Sequence, residues 1–478
     1  MIYGKKRKIN KKRTYAIEEN PVIHHIEETN DMITGRGGLA FFARYIEAIG
    51  IKADFSRMFG SMRKNKKGIL ITDLLKQFLC FFVDGTSRHL TQFDACKKDA
   101  AYAVSIGYNQ ETMASSHAVK RFLTSFSFVR NRLFRLLLHK LMVWRMKHEK
   151  PDIVILDIDV VLYNNDDAKK REGVKVTYAG IQGFAPLFIK WGPYVVDAVL
   201  RSGHKHSNNG DTVVKALSHL VNTIRNKYNA DVPILVTMDS GFFDNKLFTL
   251  LETLHVGYVA VGKVYQDIRA YAESLPESTY IPFEDRKRLT DSPLWRYTEW
   301  LDKRTTWTTA RRLIYAQACC KDEKQVLFRD VSVFYTNLGT DTILAQQLAS
   351  AGLSNYQNTD CIIHLAHQRG VHELVHRHLK DYADEQLPMN RFESNEAYFF
   401  CMLLSFFIYE AFKRDILIDI MPSSIYPTTF RRVFIDCAAK LIRRSNRWIL
   451  KLCNTTSTTI NAYVVWERIL ATIPICSS

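Results

Sequence analysis

Residues 369–380, RGVHELVHRHLK, concentrate side chains that can do chemistry. Within them His372, Glu373 and His376 form the His-Glu-x2-His pattern, which on a helix puts both imidazoles on one face and offers the glutamate as a general base. Glu396 follows at a distance suited to a third zinc ligand. One interpretation of the stretch is therefore the zinc site of a metalloprotease.

The same stretch permits an interpretation with oxygen ligands. Arg369, Glu373, His376 and Lys380 recur at i, i+4, i+7 and i+11, so they form one continuous stripe on a helix. Such a stripe places a metal-binding carboxylate between cations that suit DNA phosphates. A solvated charged face has the same pattern, so the elements around the helix must decide among the three interpretations.

Acidic residues elsewhere lie where a metal site would use them. Asp157 and Asp159 are two apart in an apolar run, so on a strand both point to one face. Asp239 ends another apolar run, at the edge where functional groups gather in α/β layers. Two aspartates from neighbouring strands and Glu373 from a later helix would make an oxygen-rich site, which favours Mg²⁺ or Mn²⁺ over Zn²⁺. Asp157 would then support such a site without binding the metal directly.

Apolar, β-branched runs predict strands, and runs with apolar residues at helical spacing predict helices between them. The predicted strands are 152–163, 176–192, 194–203, 232–241 and 257–264, and the predicted helices are 211–228 and 243–255. Three successive strands followed by alternating helix and strand is the order of a ribonuclease H-like nuclease core. The predicted fold class is therefore α/β, with a mixed five-stranded sheet and helices, a β-rich insertion and a preceding helical domain.

Composition divides the chain into six predicted segments. They are a basic tail (1–35), a helical N-terminal DNA-binding domain (36–150), the first part of the core (151–264), a β-rich insertion (265–344), the second part of the core with the Glu373 helix (345–415) and a C-terminal helical region (416–478). In the N-terminal domain, Ser115 or Ser116 is a predicted N-cap. The helix that follows would expose Lys120 and Arg121 to DNA, although an ordinary helical bundle fits the same pattern.

The net charge limits the class of partner. A formal net charge of +17 and a pI near 9.3 favour a polyanion, with nucleic acid the first expectation. The longest apolar run, 397–409, is too short to span a bilayer and is typical of a buried helix. We therefore expect an intracellular protein that acts away from membranes. A zinc protease would leave the charge, the five strands and the aspartates unexplained, so this context favours the oxygen-ligand interpretation.

Several segments resemble the DDE transposases of the bacterial insertion-sequence superfamily whose third acid lies in a Tyr-x2-Arg-x3-Glu-x6-Lys motif. The matching segments, within roughly residues 85–415, are LDIDVV, EGVKVTYAGIQGFAPLF, LRSGHKHSNNGD, TMDSGFFDNKLF and RGVHELVHRHLK. The resemblance implies three catalytic, metal-binding acids: Asp159, Asp239 and Glu373. It also implies that Arg369 and Lys380 on the last helix contact DNA. The stripe adds His376 as a further DNA-contacting candidate.

The resemblance implies cut-and-paste transposition of an insertion sequence. Two Mg²⁺ ions (or Mn²⁺) would assist the nicking of DNA at the element's terminal inverted repeats, and the freed 3′-hydroxyl would form a hairpin and later join target DNA. The active species would be a homodimer that bridges two ends. The expected location is the bacterial cytoplasm, with the nucleoid as the place of DNA binding.

Two features depart from the family pattern or leave it open. The motif tyrosine is replaced by Ala366, so a phosphate contact is lost or moved, and a catalytically inactive DNA-binding descendant is an alternative. Related enzymes stack a flipped base on an aromatic residue of the insertion. The candidates here are Trp295, Trp300 and Trp307.

Overall fold

The computed structural model describes residues 23, 25–62, 68–205, 211–283, 295–318 and 330–475, and within 369–373 it describes the backbone alone. Most of the predicted basic tail therefore lies outside the described residues. The strands are β1 (Met32–Thr34), β2 (Val154–Val160), β3 (Tyr163–Asn164), β4 (Lys175–Val176), β5 (Gln182–Phe184), β6 (Leu187–Trp191), β7 (Tyr194–Val199), β8 (Ile234–Met238), β9 (Gly257–Gly262), β10 (Ile281–Phe283), β11 (Trp295–Asp302), β12 (Arg311–Ala318), β13 (Val331–Thr336), β14 (Ala439–Arg444) and β15 (Arg447–Leu452).

Helices make up the N-terminal part of the chain and return after the sheet. They are α1 (Leu39–Ala48), α2 (Ile51–Phe59), α3 (Ile71–Asp84), α4 (Gln92–Lys98), α5 (Ala100–Ser105), α6 (Ser116–Thr124), α7 (Phe128–Glu149), α8 (Thr212–Lys227), α9 (Asn245–Thr253), α10 (Gln266–Ser274), α11 (Thr342–Ser350), α12 (Thr359–His367), α13 (Arg369–Ala383), α14 (Phe392–Asp415), α15 (Pro427–Phe430), α16 (Asn454–Thr459) and α17 (Ala462–Leu470). The start of α6 is as predicted, because the Ser115 hydroxyl accepts a hydrogen bond from the Ala118 backbone N–H at 3.3 Å.

The core sheet has the predicted ribonuclease H-like order. Its strands lie in the order β7-β6-β2-β8-β9. β6 is antiparallel to both β2 and β7, whereas β2, β8 and β9 are mutually parallel. Parallel neighbours need a crossover, and α8 and α9 provide the crossovers to β8 and β9. The prediction of an α/β, ribonuclease H-like core behind a helical N-terminal region is confirmed.

The strands predicted as an insertion extend this core sheet. β13 pairs with β9, and β12, β11 and β10 follow outward, all antiparallel. The described sheet thereby reaches nine strands. The sequence predicted the β character of this segment but not its continuity with the core.

α14 is the central buried helix of the molecule. Apolar side chains cover its whole circumference, and it packs against α3, α6, α7 and β7. A helix that is apolar all round must be buried, and each fully buried phenylalanine on it contributes roughly 1.5–3 kcal/mol. The N-terminal helices therefore share a hydrophobic core with the sheet. No described helix has the length and apolar character needed to cross a membrane.

A small sheet, β3-β5-β4, follows directly from the carboxyl end of β2. The single strand predicted over 176–192 is thus divided into β4, β5 and β6 by a loop. Gly183 is required where β5 crosses β3, since a Cβ at this position would lie 1.9 Å from the carbonyl oxygen of Tyr163.

The prediction of a helical C-terminal region is wrong for residues 439–452. They form the hairpin β14–β15, and β1 adds to it as a third strand. Ser445 and Asn446 make the turn with φ of 44° and 63°, which matches the two positive φ values of a type I′ hairpin turn. Because β1 belongs to this sheet, the end of the predicted tail is an ordered strand.

Candidate active site

Asp159 and Asp239 lie side by side at the carboxyl edge of β2 and β8. The parallel pairing of β2 with β8 ends with Ile158 opposite Met238, one residue before each aspartate. Two residues earlier, the Thr237 hydroxyl donates to Asp157 Oδ1 at 2.9 Å, so these two side chains share a face of the sheet. Alternate strand residues point to the same face, so Asp159 and Asp239 are directed to that face as well.

Backbone N–H groups hold one oxygen of each aspartate. Asp159 Oδ1 accepts from the Val160 N–H at 2.7 Å, and Asp239 Oδ1 accepts from the Gly241 N–H at 2.9 Å. The second bond is an Asx turn, which the Asp-Ser-Gly sequence favours after a strand. Both carboxylates therefore have a fixed orientation at the sheet edge.

Tyr178 lies in the electrostatic field of both aspartates. It is 70% exposed in the loop between β4 and β5. Partial desolvation raises the pKa of its phenol, and the negative charges of Asp159 and Asp239 raise it further. The two carboxylates and this tyrosine therefore share one environment. Sequence reasoning missed Tyr178, because nothing in its loop distinguishes it from other exposed tyrosines.

A buried ion pair lies beside the two aspartates. Lys190 Nζ on β6 is 2.9 Å from Asp157 Oδ2, and each residue is 1% exposed. Burial of a charge is costly unless it is paired and hydrogen-bonded, and here Thr237 satisfies the other Asp157 oxygen. Asp157 thus binds Lys190 and Thr237, two positions before Asp159 on the same strand. Lys190 was not predicted, although a lysine inside the apolar run PLFIKWGPYVV was a signal for it.

His376 connects α13 to this pair. Its Nε2 is 2.6 Å from Lys190 Nζ, and its Nδ1 is 3.7 Å from Asp159 Oδ2. The ring also lies against Phe188, with centroids 6.1 Å apart. One imidazole therefore docks α13 onto both β6 and β2 at the edge where the aspartates lie.

The predicted third acid belongs to the same helix. α13 begins at Arg369, so Glu373 and His372 are in its first turns and Glu373 precedes His376 by three positions. One helical turn is 3.6 residues, so position 373 lies about one turn before the docked histidine. The side chains of Arg369, His372 and Glu373 lie outside the described residues.

The two described members of the predicted zinc site have other partners. His376 turns its nitrogens to Lys190 and Asp159, as above. Glu396 is buried on α14 and accepts a hydrogen bond from Asn131 Nδ2 on α7 at 2.6 Å. Burial raises the pKa of Glu396 to about 6. His376 thus contacts the sheet and Glu396 contacts α7, an arrangement that does not support the metalloprotease interpretation.

The donor set of the sheet edge suits a hard cation. Among the described side chains, no group of three His, Cys, Asp or Glu residues could hold a metal ion, and the predicted third acid, Glu373, is outside this set. The two acids that are described offer carboxylate oxygens, the ligands that Mg²⁺ and Mn²⁺ prefer. The two described acids are therefore of the ligand type that a magnesium or manganese ion would use.

The predicted DNA-contacting residues are divided between two helices. Lys380, near the end of α13, forms an ion pair with Glu385, with Nζ 2.8 Å from Oε1. Lys120 and Arg121 are exposed on α6, which packs against α14 and has no place at the sheet edge.

The three tryptophans proposed for base stacking lie in or against the core. Trp295 and Trp307 are each 6% exposed. Trp300 is half-buried, and its ring is 4.9 Å from that of Tyr271. The burial of Trp295 and Trp307 disfavours stacking on a flipped base, which leaves Trp300 as the more accessible candidate.

Ala366, at the motif position usually held by tyrosine, is buried on α12. Its neighbours make local contacts. His364 Nε2 is 2.6 Å from Gln368 Nε2, and the His367 ring packs against Trp295 with centroids 5.5 Å apart. Neither histidine contacts Asp159 or Asp239 through a described hydrogen bond.

Comparison with known proteins identifies a family for the chain. The model of the family "Transposase DDE domain group 1" matches residues 21–472. Among solved structures, the chain is similar to the piggyBac transposase in a synaptic complex with hairpin DNA, at 11% identity and a TM-score of 0.38, over 91% of this chain and 82% of that one. A comparison with curated proteins gives no match. Because the family model covers nearly the whole length, the chain belongs to the DDE-domain transposases of group 1.

Proposed function

We propose that this DDE transposase moves an insertion sequence by cut-and-paste transposition, with Asp159, Asp239 and Glu373 as its catalytic acids. The observation that carries the proposal is the matched pair of aspartates on β2 and β8, onto whose edge His376 docks the helix of Glu373. The family membership supports the reaction class.

The three acids would hold two Mg²⁺ or Mn²⁺ ions. Such ions activate an attacking oxygen and stabilise the leaving oxygen in an in-line displacement. The contribution of the protein is orientation, since the backbone bonds of Val160 and Gly241 fix the two aspartates before DNA arrives. A fixed pair of carboxylates costs no reorganisation when DNA binds.

The reaction would run in four displacements. Water attacks the phosphodiester at the element's end and leaves a 3′-hydroxyl. This hydroxyl attacks the opposite strand and forms a hairpin, whose hydrolysis restores the 3′-hydroxyl. The same group then attacks target DNA. Each displacement forms one P–O bond and breaks another, and the departing oxygen takes up the proton that the attacking oxygen loses.

DNA would be held by cations on two helices. Arg369 and Lys380 lie along α13, and Lys120 and Arg121 are exposed on α6. His376 also lies on α13 but contacts Lys190 and Asp159. The net charge of +17 suits a long duplex partner, here the terminal inverted repeats and the target. We place two copies of the chain in the active complex, one at each end of the element.

The proposal is tested by nicking of a supercoiled plasmid that carries the element with its flanking DNA. Purified protein with Mg²⁺ or Mn²⁺ should nick at the element's ends, and Asp239→Ala should abolish nicking while it retains end binding in a gel-shift assay. Asp231→Ala is the matched control, because Asp231 is an exposed aspartate before the opposite end of β8.

Three outcomes would overturn the proposal. Equal nicking by Asp239→Ala and the wild type would remove the assigned acid. End binding without nicking by the wild type would indicate the inactive DNA-binding descendant. One tightly held zinc ion that His376→Ala releases would restore the metalloprotease interpretation.

A further inference from the structure

We propose that Lys190 and His376 are a positioning pair that sets the direction of the Asp159 carboxylate. The pair does so by fixing the tautomer of the imidazole, with Nε2 as an acceptor from Lys190 and Nδ1–H directed at Asp159. The role of Asp159 rests on the proposed function, whereas the tautomer does not.

Lys190 can act on His376 in one way. Its ammonium group has three donors and no acceptor, so across the 2.6 Å contact His376 Nε2 must accept the hydrogen bond. A neutral imidazole that accepts at Nε2 carries its proton on Nδ1. The nitrogen that faces Asp159 is therefore the donor.

Asp157 stabilises the charged form of Lys190 in its buried position. The ion pair with Asp157 compensates the buried ammonium charge, and Thr237 holds the second Asp157 oxygen. In the β2–β6 register Lys190 lies directly opposite Asp157. The Lys190 ammonium group thus contacts Asp157 on β2 on one side and His376 on α13 on the other.

The two oxygens of Asp159 then receive different neighbours. Oδ1 accepts from the Val160 N–H at 2.7 Å, and Oδ2 faces His376 Nδ1 at 3.7 Å. A separation of 3.7 Å is longer than a hydrogen bond, so the attraction between His376 Nδ1–H and Asp159 Oδ2 is electrostatic. Groups that orient a metal-binding carboxylate commonly change metal affinity by about 10–100-fold.

The same contacts couple the helix of Glu373 to Asp159. His376 is on α13, Lys190 on β6 and Asp159 on β2, so a change at the imidazole alters the helix and the aspartate together. This coupling explains why a costly buried lysine stands in an otherwise apolar strand.

The first measurement is made on protein without DNA or metal. Protein labelled with ¹⁵N-histidine should show His376, assigned by its loss in His376→Gln, as the Nδ1–H tautomer in long-range ¹H–¹⁵N spectra. The double variant Asp157→Asn with Lys190→Met removes both charges of the ion pair, so the buried site stays neutral and the chain folds. In this variant the His376 signal should move toward the Nε2–H form.

The second measurement is the Mn²⁺ affinity by electron paramagnetic resonance. His376→Leu and the double variant should bind Mn²⁺ roughly 10- to 100-fold more weakly than the wild type. His376→Asn should recover most of the affinity, because its amide N–H lies where Nδ1–H was, and His376→Gln should not. His378→Leu is the matched control, since His378 is a buried histidine of the same helix packed against Tyr426, with ring centroids 4.6 Å apart.

Either of two results would overturn the positioning role. One is an Nε2–H tautomer or an even mixture at His376 in the wild type. The other is an unchanged Mn²⁺ affinity in His376→Leu. Failure of the proposed function is a separate result, namely the absence of metal-dependent nicking by the wild type, while the tautomer of His376 is measured independently of it.

Discussion

Two buried clusters in this molecule have the same composition but different surroundings. Each combines a strand aspartate, a cation and a histidine, and they are Asp157 with Lys190 and His376, and Asp197 with Arg135 and His139. We call the first the edge cluster and the second the α7 cluster. The edge cluster links β2, β6 and α13, and the α7 cluster fastens α7 to β7, the last strand of the sheet.

The two histidines have different targets. In the edge cluster, His376 turns toward a further carboxylate, Asp159, at the open sheet edge. In the α7 cluster, His139 Nε2 returns to Asp197 at 3.2 Å, and Arg135 binds both oxygens of the same aspartate. In the α7 cluster, both the histidine and the arginine thus contact the same carboxylate. The two clusters therefore differ in the residue that the histidine faces, which is a second carboxylate in the edge cluster and the same carboxylate in the α7 cluster.

The largest expected effect is on Asp159, the residue to which the edge cluster leads. Asp159→Asn should lower single-turnover nicking by at least about 1000-fold, or roughly 4 kcal/mol of barrier. It should leave the melting temperature unchanged or higher, because the substitution removes the repulsion from Asp239. A large loss of stability in this variant would show that Asp159 is structural, like Asp197.

The second prediction breaks the α7 cluster. Asp197→Leu leaves the half-buried Arg135 and the buried His139 without their carboxylate and should lower the free energy of unfolding by about 1–3 kcal/mol in urea titration. Nicking per folded molecule should stay within about 3-fold of the wild type. The added substitution Arg135→Met should restore most of the stability, because an apolar pair can replace a buried ion pair. Loss of nicking in the restored double variant would contradict a purely structural role.

The sequence predicted the parts of the fold that depend on local pattern. The alternation of apolar runs placed β2, β8 and β9, and Asp159 and Asp239 followed because each ends or lies near the end of such a run. The union of β13 with β9 depends on contacts between distant segments, and local periodicity carries no information about it. The hairpin β14–β15 was missed although the turn residues Ser445 and Asn446 separate two alternating segments.

The sequence showed the two aspartates that lie at the sheet edge, but not the residues that contact them. Asp157 and Asp159 share a strand face whatever the tertiary structure, so their relation is visible in the sequence. Lys190 meets His376 across 186 positions of chain, which requires the β6 register and the docking of α13 together. The pattern HELVH suggested zinc because it shows which residues share a helix face but not which face of the helix meets the sheet.

The third prediction uses the pH dependence of stability to test the structural role of the α7 cluster. Arg135 and His139 overcome the effect of burial and hold the pKa of Asp197 at about 2, below its ordinary 3.8. The stabilisation is therefore complete above about pH 4 and is lost as the pH falls through 2, with about 2 kcal/mol at stake. Urea titrations between pH 4.5 and 2.5 should show the wild type converging on Asp197→Asn. A constant difference across this range would contradict the assignment.

The smallest expected effect tests whether Asp157, in the edge cluster, has a role different from that of the neighbouring Asp159. Thr237→Val keeps the shape of the side chain but removes the hydroxyl that donates to Asp157 Oδ1 at 2.9 Å. The lost hydrogen bond should cost about 1–2 kcal/mol of stability, since the Asp157 oxygen stays buried. Nicking should fall by less than about 3-fold, because the Lys190–His376 contact does not pass through Thr237. Thr223→Val is the matched control, a buried threonine whose hydroxyl bonds the backbone of its own helix at 2.8 Å. A loss of nicking as large as that of Asp159→Asn would show that Asp157 takes part directly in the chemistry.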